Sequence, residues 1–337
     1  MRFEFYSDAI AGVPKLSVDG TVDNAIHFSH WYGNQTPESV KADTSTETVL
    51  NVVAAPNRNE LTRGIDLVTN NHFDTDGALS VWTMLTGERA LDLRDRLIPA
   101  AEAGDFCELS SVDGVRASIV IQASDSPTDK SGSPLAQQIA GEPVTDEAQA
   151  YVLVLPHIEH VIKHTEQYEN LWRKPWQRIE KALESFASGA SRVEEIYDAK
   201  LSVVTLAPEV FSSSGFDPSK HAAPFTAISH HARGELFLIA TPLNGGWAYR
   251  IDHPYYSWAE TVVRPRIARR DLSPLMDQLN ELEENSSGKW KLDSSELASA
   301  AKFSDENGIL ASSLLRPDIV ETQLLNTLLG SIAVPER

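Results

Sequence analysis

The stretch Leu67-Val-Thr-Asn-Asn-His72-Phe-Asp74-Thr-Asp76-Gly77-Ala-Leu-Ser-Val-Trp82 constrains this chain more than any other. An imidazole and two carboxylates alternate behind a short apolar run, and a glycine and a helix-like segment follow at once. In an extended segment, side chains two apart share a side, so His72, Asp74 and Asp76 are expected to face one point. Hard divalent cations gather several oxygen ligands, and an imidazole beside them turns the preference toward manganese, iron or zinc. Gly77 is expected to let the backbone turn sharply into a helix starting near Leu79. The plainer account is a polar turn in which one Asp caps that helix. Capping leaves the His without a reason, and a metal site accounts for all three residues.

The length of 337 residues allows a full core and favours two domains. A net charge of −19 repels phosphate backbones and anionic lipid, so general nucleic-acid or membrane binding is disfavoured. A small anionic substrate, held by a cation and local arginines, remains compatible with that charge, as does a homo-oligomer. Cys107 is the single cysteine, which excludes an internal disulfide and a thiolate zinc cluster. The N-terminal residues lack the apolar core of a signal peptide, and no run of 18 apolar residues occurs. A cytoplasmic, reduced protein is expected.

Short apolar runs (Lys15–Val18, Ala25–Phe28, Ile65–Thr69) alternate with helix-like stretches (Thr46–Ala54, Ala78–Leu85, Leu91–Ala103). That alternation predicts an α/β part with a mostly parallel sheet and flanking helices over 1–122, with Ala117–Gln122 as a further strand. Residues 123–149, rich in Ser, Pro, Asp and Gly, read as a linker or mobile loop. A capping or substrate domain of α+β type is expected over 150–337. It begins with a long helical region broken or restarted at Pro156 and Pro175, continued by Arg178–Tyr197. Strands are expected at Leu201–Leu206, Thr226–His230, Leu236–Thr241 and Trp247–Ile251. Helices are expected near Leu272–Glu284, Ser294–Ala301 and Pro317–Leu329.

Residues 16–53 carry Val18-Asp19-Gly20, Phe28-Ser29-His30-Trp31, Gly33-Asn34 and Asp43-Thr44-Ser45-Thr46-Glu47. In that order they resemble the middle of the DHH phosphoesterase superfamily. There one strand ends in Asp, the next in Asp-His-His, and an Asn loop and a Ser-Thr-Ala-Glu-like helix start follow. His72-x-Asp74-x-Asp76-Gly77 looks like that superfamily's opening metal motif, and Glu102-Ala-Gly-Asp105-Phe resembles a later one. Only the central His of the triplet is kept, and the opening motif comes after the others. Either the chain is circularly permuted or residues 72–77 occupy a later Asp-Thr-Gly-like position. The resemblance covers the first 110 residues or so; the whole chain also resembles a family of uncharacterised bacterial proteins.

The resemblance implies a DHH-like fold and a manganese-type centre in a parallel-sheet cleft. Its ligands would be His72, Asp74, Asp76, Asp19 and Asp105, with His30 as ligand or general acid and Asp74 and Asp105 in catalytic roles. Independently of any family, a bound cation brings the pKa of its water from 15.7 toward ~7 and neutralises phosphoryl charge. The expected activity is hydrolysis of a phosphoester or phosphoanhydride in a small molecule.

His157, His160 and His164 stand at i, i+3 and i+7, a spacing that puts them on one helix face. They suit a zinc site with His160 as ligand, or a solvated surface. His230 is an anion contact or a buried hydrogen-bonded residue. Arg264 and Arg266, in a basic run of an acidic chain, would bind an anionic substrate bidentately or pair with neighbouring carboxylates. The sequence contains no dinucleotide-binding Gly-x-Gly-x-x-Gly, phosphate loop or Gly-x-Ser-x-Gly elbow. Two rival readings remain. One is a zinc-type, amidohydrolase-like enzyme on a non-phosphate substrate. The other is a non-catalytic binding protein with a degenerate site, suggested by Ser29 and Trp31.

Overall fold

The computed structural model describes residues 1–123, 132–211, 223–293 and 298–330. It comprises two compact units: Met1–Gln177 with Trp258–Arg266, and Arg178–Ser257 with Ile267–Arg337. Among the described residues no helix is long and apolar enough to cross a membrane.

In the first unit, strands β1 (Arg2–Phe3), β2 (Lys15–Val18), β3 (Ala25–Phe28) and β4 (Leu67–Thr69) form a sheet in the order β1-β4-β2-β3. Every pairing is parallel, so the C-terminal ends of all four strands lie along one edge. Leu16, Val18, Phe28, Leu67 and Val68 are buried, as expected of a parallel sheet covered on both faces. Lys15 is buried too, because its ammonium donates to the carbonyls of Ile10, Ala11 and Val13 at 2.9–3.1 Å. Parallel neighbours usually need a crossover of a dozen residues or more. Residues 19–24 join β2 to β3 with far fewer, using left-handed backbone at Asp19 (φ 66°) and Asn24 (φ 53°).

The helices of this unit are α1 (Ser45–Ala54), α2 (Arg58–Thr62), α3 (Thr75–Thr86), α4 (Arg94–Phe106), α5 (Val112–Gln122), α6 (Pro134–Ala140), α7 (Glu147–Val154), α8 (Ile158–Lys163) and α9 (Glu169–Ala187), the last running on into the second. Thr44, Asp74, Ser111, Ser133 and Asp146 cap α1, α3, α5, α6 and α7, each accepting from an amide of the first turn.

In the second unit, β5 (Arg192–Ile196), β6 (Leu201–Thr205), β7 (Leu236–Leu243), β8 (Gly246–Asp252), β9 (Lys289–Leu292) and β10 (Ser299–Ser304) form a mixed sheet ordered β5-β6-β7-β8-β10-β9. The β6–β7 pairing is parallel and the others are antiparallel. Leu201, Leu238, Tyr249, Ile251, Trp290 and Phe303 pack with Leu275 and Leu279 of the helix Ser273–Leu282 and with Val320 and Leu324 of the helix Pro317–Gly330. The i, i+4 spacing in both helices is the apolar stripe that buries against a sheet. The α/β class and the parallel N-terminal sheet are as expected.

Several local expectations are corrected. Ala117–Gln122 is the end of helix α5, not a strand: Ser111 caps its start, and a buried helix can be as apolar as a strand. Thr226–His230 belongs to a helix, Phe225–His231. Residues 299–301 are strand and Ala298 is a bend; 294–297 of that expected helix lie outside the described residues. Arg178–Tyr197 is helical only to Ala187, where the chain turns into β5. Within the expected linker, 134–140 and 147–149 are helical, and 124–131 lie outside the described residues. Pro156 does interrupt the helical region, whereas Pro175 lies within α9. Helices over 147–177 pack with the first unit.

His253 supplies a test of the second unit. Burial holds its imidazole down at about 4, although Nδ1 lies 2.9 Å from the carbonyl of Glu235. A His whose folded value is depressed contributes stability above its ordinary 6.5, and loses it as pH falls toward 4. Stability is therefore expected to drop over that window by at most about 3 kcal/mol from this residue, read as a falling melting temperature. His253→Asn should flatten the drop, and an unchanged profile counts against the assignment.

Candidate metal centre

The first unit's sheet delivers its polar residues where its strands end. Asp19 follows β2, His30 stands two residues beyond β3, and Asn70, Asn71 and His72 follow β4. Asp74 caps α3, Asp76 sits in its first turn, and Asp105 comes one residue before the end of α4. Such carboxyl-end edges are where open α/β sheets bind ligands. The expectation of an extended 72–76 segment is corrected, because the helix starts at Thr75 and Asp76 projects from it. Gly77 lies inside that helix rather than at a sharp turn.

These six side chains form two groups of donor atoms, each group's atoms within 4.8 Å of one another: Asp19, His30, Asp76 and Asp105, and Asp19, His72 and Asp74. Asp19 belongs to both. Its Oδ2 lies 2.8 Å from His72 Nε2, and its Oδ1 lies 3.8 Å from His30 Nε2. His30 Nε2 is 3.1 Å from Asp105 Oδ2, and Nδ1 is 3.6 Å from Asp76 Oδ2. His72 Nε2 is also 3.0 Å from Asp74 Oδ2. The group around His30 is buried, while His72 and Asp74 keep about a fifth of their side-chain surface in water. One group is deep and the other forms a rim.

At 2.8–3.1 Å the closest of these pairs are within hydrogen-bond distance but lack hydrogen-bond alignment. Asp19 Oδ1, both ring nitrogens of His30, His72 Nε2 and Asp105 Oδ2 are buried without a hydrogen-bond partner. Buried polar atoms are almost always paired, because an unpaired one costs ~1–3 kcal/mol. Buried oxygens and imidazole nitrogens that converge without aligned hydrogen bonds have the arrangement a cation between them requires, His30 offering the lone pair of one ring nitrogen. Oxygen and imidazole donors suit manganese, iron or zinc.

Charge gives the same answer. Two carboxylates ~4–5 Å apart repel by roughly 3–4 kcal/mol at an effective dielectric of 20. The ion pairs that these four aspartates make run to His30 and His72. Burial and the neighbouring Asp105 and Asp19 push Asp76 well above 3.8; burial and the charges of Asp74 and Asp19 do the same to Asp105. Burial alone would raise Asp19, but His72 and His30 outweigh it and hold the carboxyl at about 2. Burial opposes protonation of His72, and Asp74 and Asp19 override it, raising that imidazole well above 6.5. Each of His72, Asp76 and Asp105 thus holds a proton more tightly than the free side chain does.

Several ligands are oriented from behind. Asp76 accepts the amides of Ser45 and Thr46, both at 2.7 Å, and so sits on the positive end of α1. Asp74 divides its oxygens: Oδ1 accepts the Gly77 amide at 2.7 Å as a cap, and Oδ2 faces His72. The capping role and the ligand geometry therefore coexist. Asn71 Oδ1 lies 3.0 Å from His72 Nδ1, a contact that orients the ring with Nε2 toward Asp19 and Asp74.

The returning segment 258–266 closes the deep side. Trp258 packs edge-on to His30 with ring centres 5.0 Å apart, and Trp31 lies against both Trp258 and His72. The Glu260 amide donates to the His30 carbonyl at 2.7 Å. Asp43 accepts the amides of Val262, Val263 and Arg264, and the Arg264 guanidinium spans Asp43, Glu102 and Glu108 at 2.6–2.9 Å. Arg264 is thus engaged within the protein, and Arg266 is exposed.

His160 stands apart from both groups: its Nδ1 contacts the Tyr168 hydroxyl at 3.0 Å, and α8 ends before His164. His230 is an exposed residue of the second unit, set edge-on to His231. Cys107 is buried. Sequence reasoning missed Asn70, Tyr151 and the closing role of Trp258. Only Asn70 carried a signal, through its place just before His72.

Residues 2–309 match a family of unknown function, DUF6687. The chain belongs to that family. No curated protein matches it. Among solved structures, a pGpG-specific phosphodiesterase, PggH from Vibrio cholerae, aligns at 9% identity and a TM-score of 0.37, covering 85% of this chain and 96% of that one. A score of that size places no constraint on this protein's chemistry.

Two predictions follow from the geometry. Replacing Arg264 by Met leaves Asp43, Glu102 and Glu108 facing each other without their cation. A loss of roughly 3 kcal/mol is expected, read as a lowered urea midpoint; an unchanged midpoint would deny the segment its anchor. Cation uptake should release protons, because His72, Asp76 and Asp105 hold theirs above their ordinary values. Affinity for Mn²⁺ should then rise with pH, and calorimetry in two buffers of different ionisation enthalpy should report the released protons. Binding heats independent of buffer would contradict this.

Proposed function

We propose that this protein is a metal-dependent hydrolase, similar to the DHH phosphoesterases, that cleaves a phosphoester or phosphoanhydride bond in a small molecule. The observation that carries the reading is the set of five unpartnered buried atoms on Asp19, His30, His72 and Asp105. A divalent cation held there supplies a Lewis acid that acidifies water and neutralises phosphoryl charge.

The chain's own residues have separable tasks. Asp19 presents one oxygen to each group, so it suits a carboxylate shared by two ions. His30 and Asp105 would hold the deep position; Asp76, fixed by two amides, stands 3.6 Å from Nδ1 of His30. His72 and Asp74 hold the rim position, the one that solvent and substrate reach. Asp74 Oδ2 would be the donor to the rim ion, since Oδ1 is kept by the Gly77 amide. Trp258 and Trp31 exclude bulk water from the deep side, which strengthens every charge interaction inside. The charge of −19 favours a small anion over a polyanion. Manganese is the ion proposed, with iron and zinc as the alternatives for the same donors.

Protein purified without chelator should carry up to two divalent ions per chain by mass spectrometry. Asp19→Asn should lose both, and Asp74→Asn should weaken the rim position alone. Turnover of a phosphorylated-compound library should fall by ~10–100-fold or more in Asp74→Asn, the cost of disturbing even a ligand's support. A wild-type protein that takes up no manganese, iron or zinc would overturn the proposal.

A further inference from the structure

One buried polar network beside the six side chains has no part in the chemistry above. Asn70 follows β4 and is fully buried. Its Oδ1 accepts the Gly20 amide at 3.1 Å and the Asn71 amide at 2.7 Å. Its Nδ2 donates to the Tyr151 hydroxyl at 2.9 Å and approaches Asp19 Oδ2 at 3.4 Å. The Tyr151 hydroxyl in turn donates to the His72 carbonyl at 3.0 Å. Tyr151 comes from α7, far along the chain, and Phe3, Phe5 and Phe73 pack around its ring.

Two glycines make room for the network. A Cβ on Gly20 would stand 2.4 Å from Asn70 Oδ1 and 2.1 Å from Asn71 Oδ1. A Cβ on Gly77 would stand 2.5 Å from Asn70 Nδ2 and 2.7 Å from the Tyr151 hydroxyl. The sequence therefore leaves space on both sides of one amide. Every hydrogen-bonding position of that amide is used on a segment that carries a ligand or on the group that holds one.

We infer that Asn70 and Tyr151 are positioning residues that fix the spacing between Asp19 and His72, and so the grip on the rim cation. Asn70 ties the turn after β2 to the loop after β4, and Tyr151 pins the backbone of His72 from the other side. A pair held this way presents Asp19 Oδ2 and His72 Nε2 to one ion without rearrangement, and the deep position is served by other contacts. Partners behind a metal ligand typically govern affinity by ~10–100-fold. The inference rests on the metal-centre reading, and the experiment separates the two.

Tyr151→Phe removes one oxygen and keeps the ring among its aromatic neighbours. Mn²⁺ titration of the chelator-stripped full chain should show one site weakened ~10–100-fold and the other little changed. The melting temperature of the stripped protein should stay within a few degrees of wild type. Gly77→Ala is the second variant: it crowds Asn70 and Tyr151 at 2.5 and 2.7 Å, more tightly than the capping oxygen of Asp74 at 3.0 Å, and should weaken the same site. A purely structural role would lower the ion-free melting temperature and leave Mn²⁺ affinity unchanged, which overturns the inference. Wild-type protein that binds no Mn²⁺ overturns the metal reading and this inference with it.

Discussion

Four carboxylates crowded around two imidazoles, three of the four out of water, form the arrangement on which the first unit depends. Their mutual repulsion, of a few kcal/mol per close pair, has to be met by protons or by cations. Much of the surrounding structure serves that crowding. The start of α1 turns two amides to Asp76, the cap of α3 spends only one oxygen of Asp74, and Asn71 fixes the ring of His72. An all-parallel sheet makes the crowding achievable, because its strand ends share one edge and β2, β3 and β4 each deliver residues there.

The α/β class was readable from alternating apolar runs, and the strands Lys15–Val18 and Ala25–Phe28 occur with the expected bounds. Periodicity failed where burial was complete. Ala117–Gln122 is apolar on all sides because α5 is enclosed, and a short enclosed helix carries no period that separates it from a strand. Residues 72–76 were expected to converge by strand alternation; they converge because a strand end and a helix start meet at Asp74. Local spacing could not reveal Tyr151 or Trp258, since both reach their neighbours through the tertiary fold. Arg264 read as ambiguous for a comparable reason. Its three carboxylate partners lie more than 150 positions away in sequence.

Two residues beside His30 have structural roles of their own. Ser29 donates its hydroxyl to the Asp19 carbonyl and accepts the Trp31 amide, so it braces the short β2–β3 connection. Trp31 lies against His72 with ring centres 5.0 Å apart. An indole there adds no donor for a metal but walls off a neighbour that has one.

The excursion of residues 258–266 bears on how the protein is made. Asp43 is an early residue whose carboxylate is satisfied by amides more than 200 positions downstream. During synthesis the N-terminal sheet can assemble long before those amides exist, and until then the Asp43 carboxylate and the flank of His30 face solvent. Maturation of the first unit must therefore await emergence of residue 266 from the ribosome, well after most of the second unit's strands. A chain released before Trp258 would leave His30 and Trp31 without the indole that packs against both.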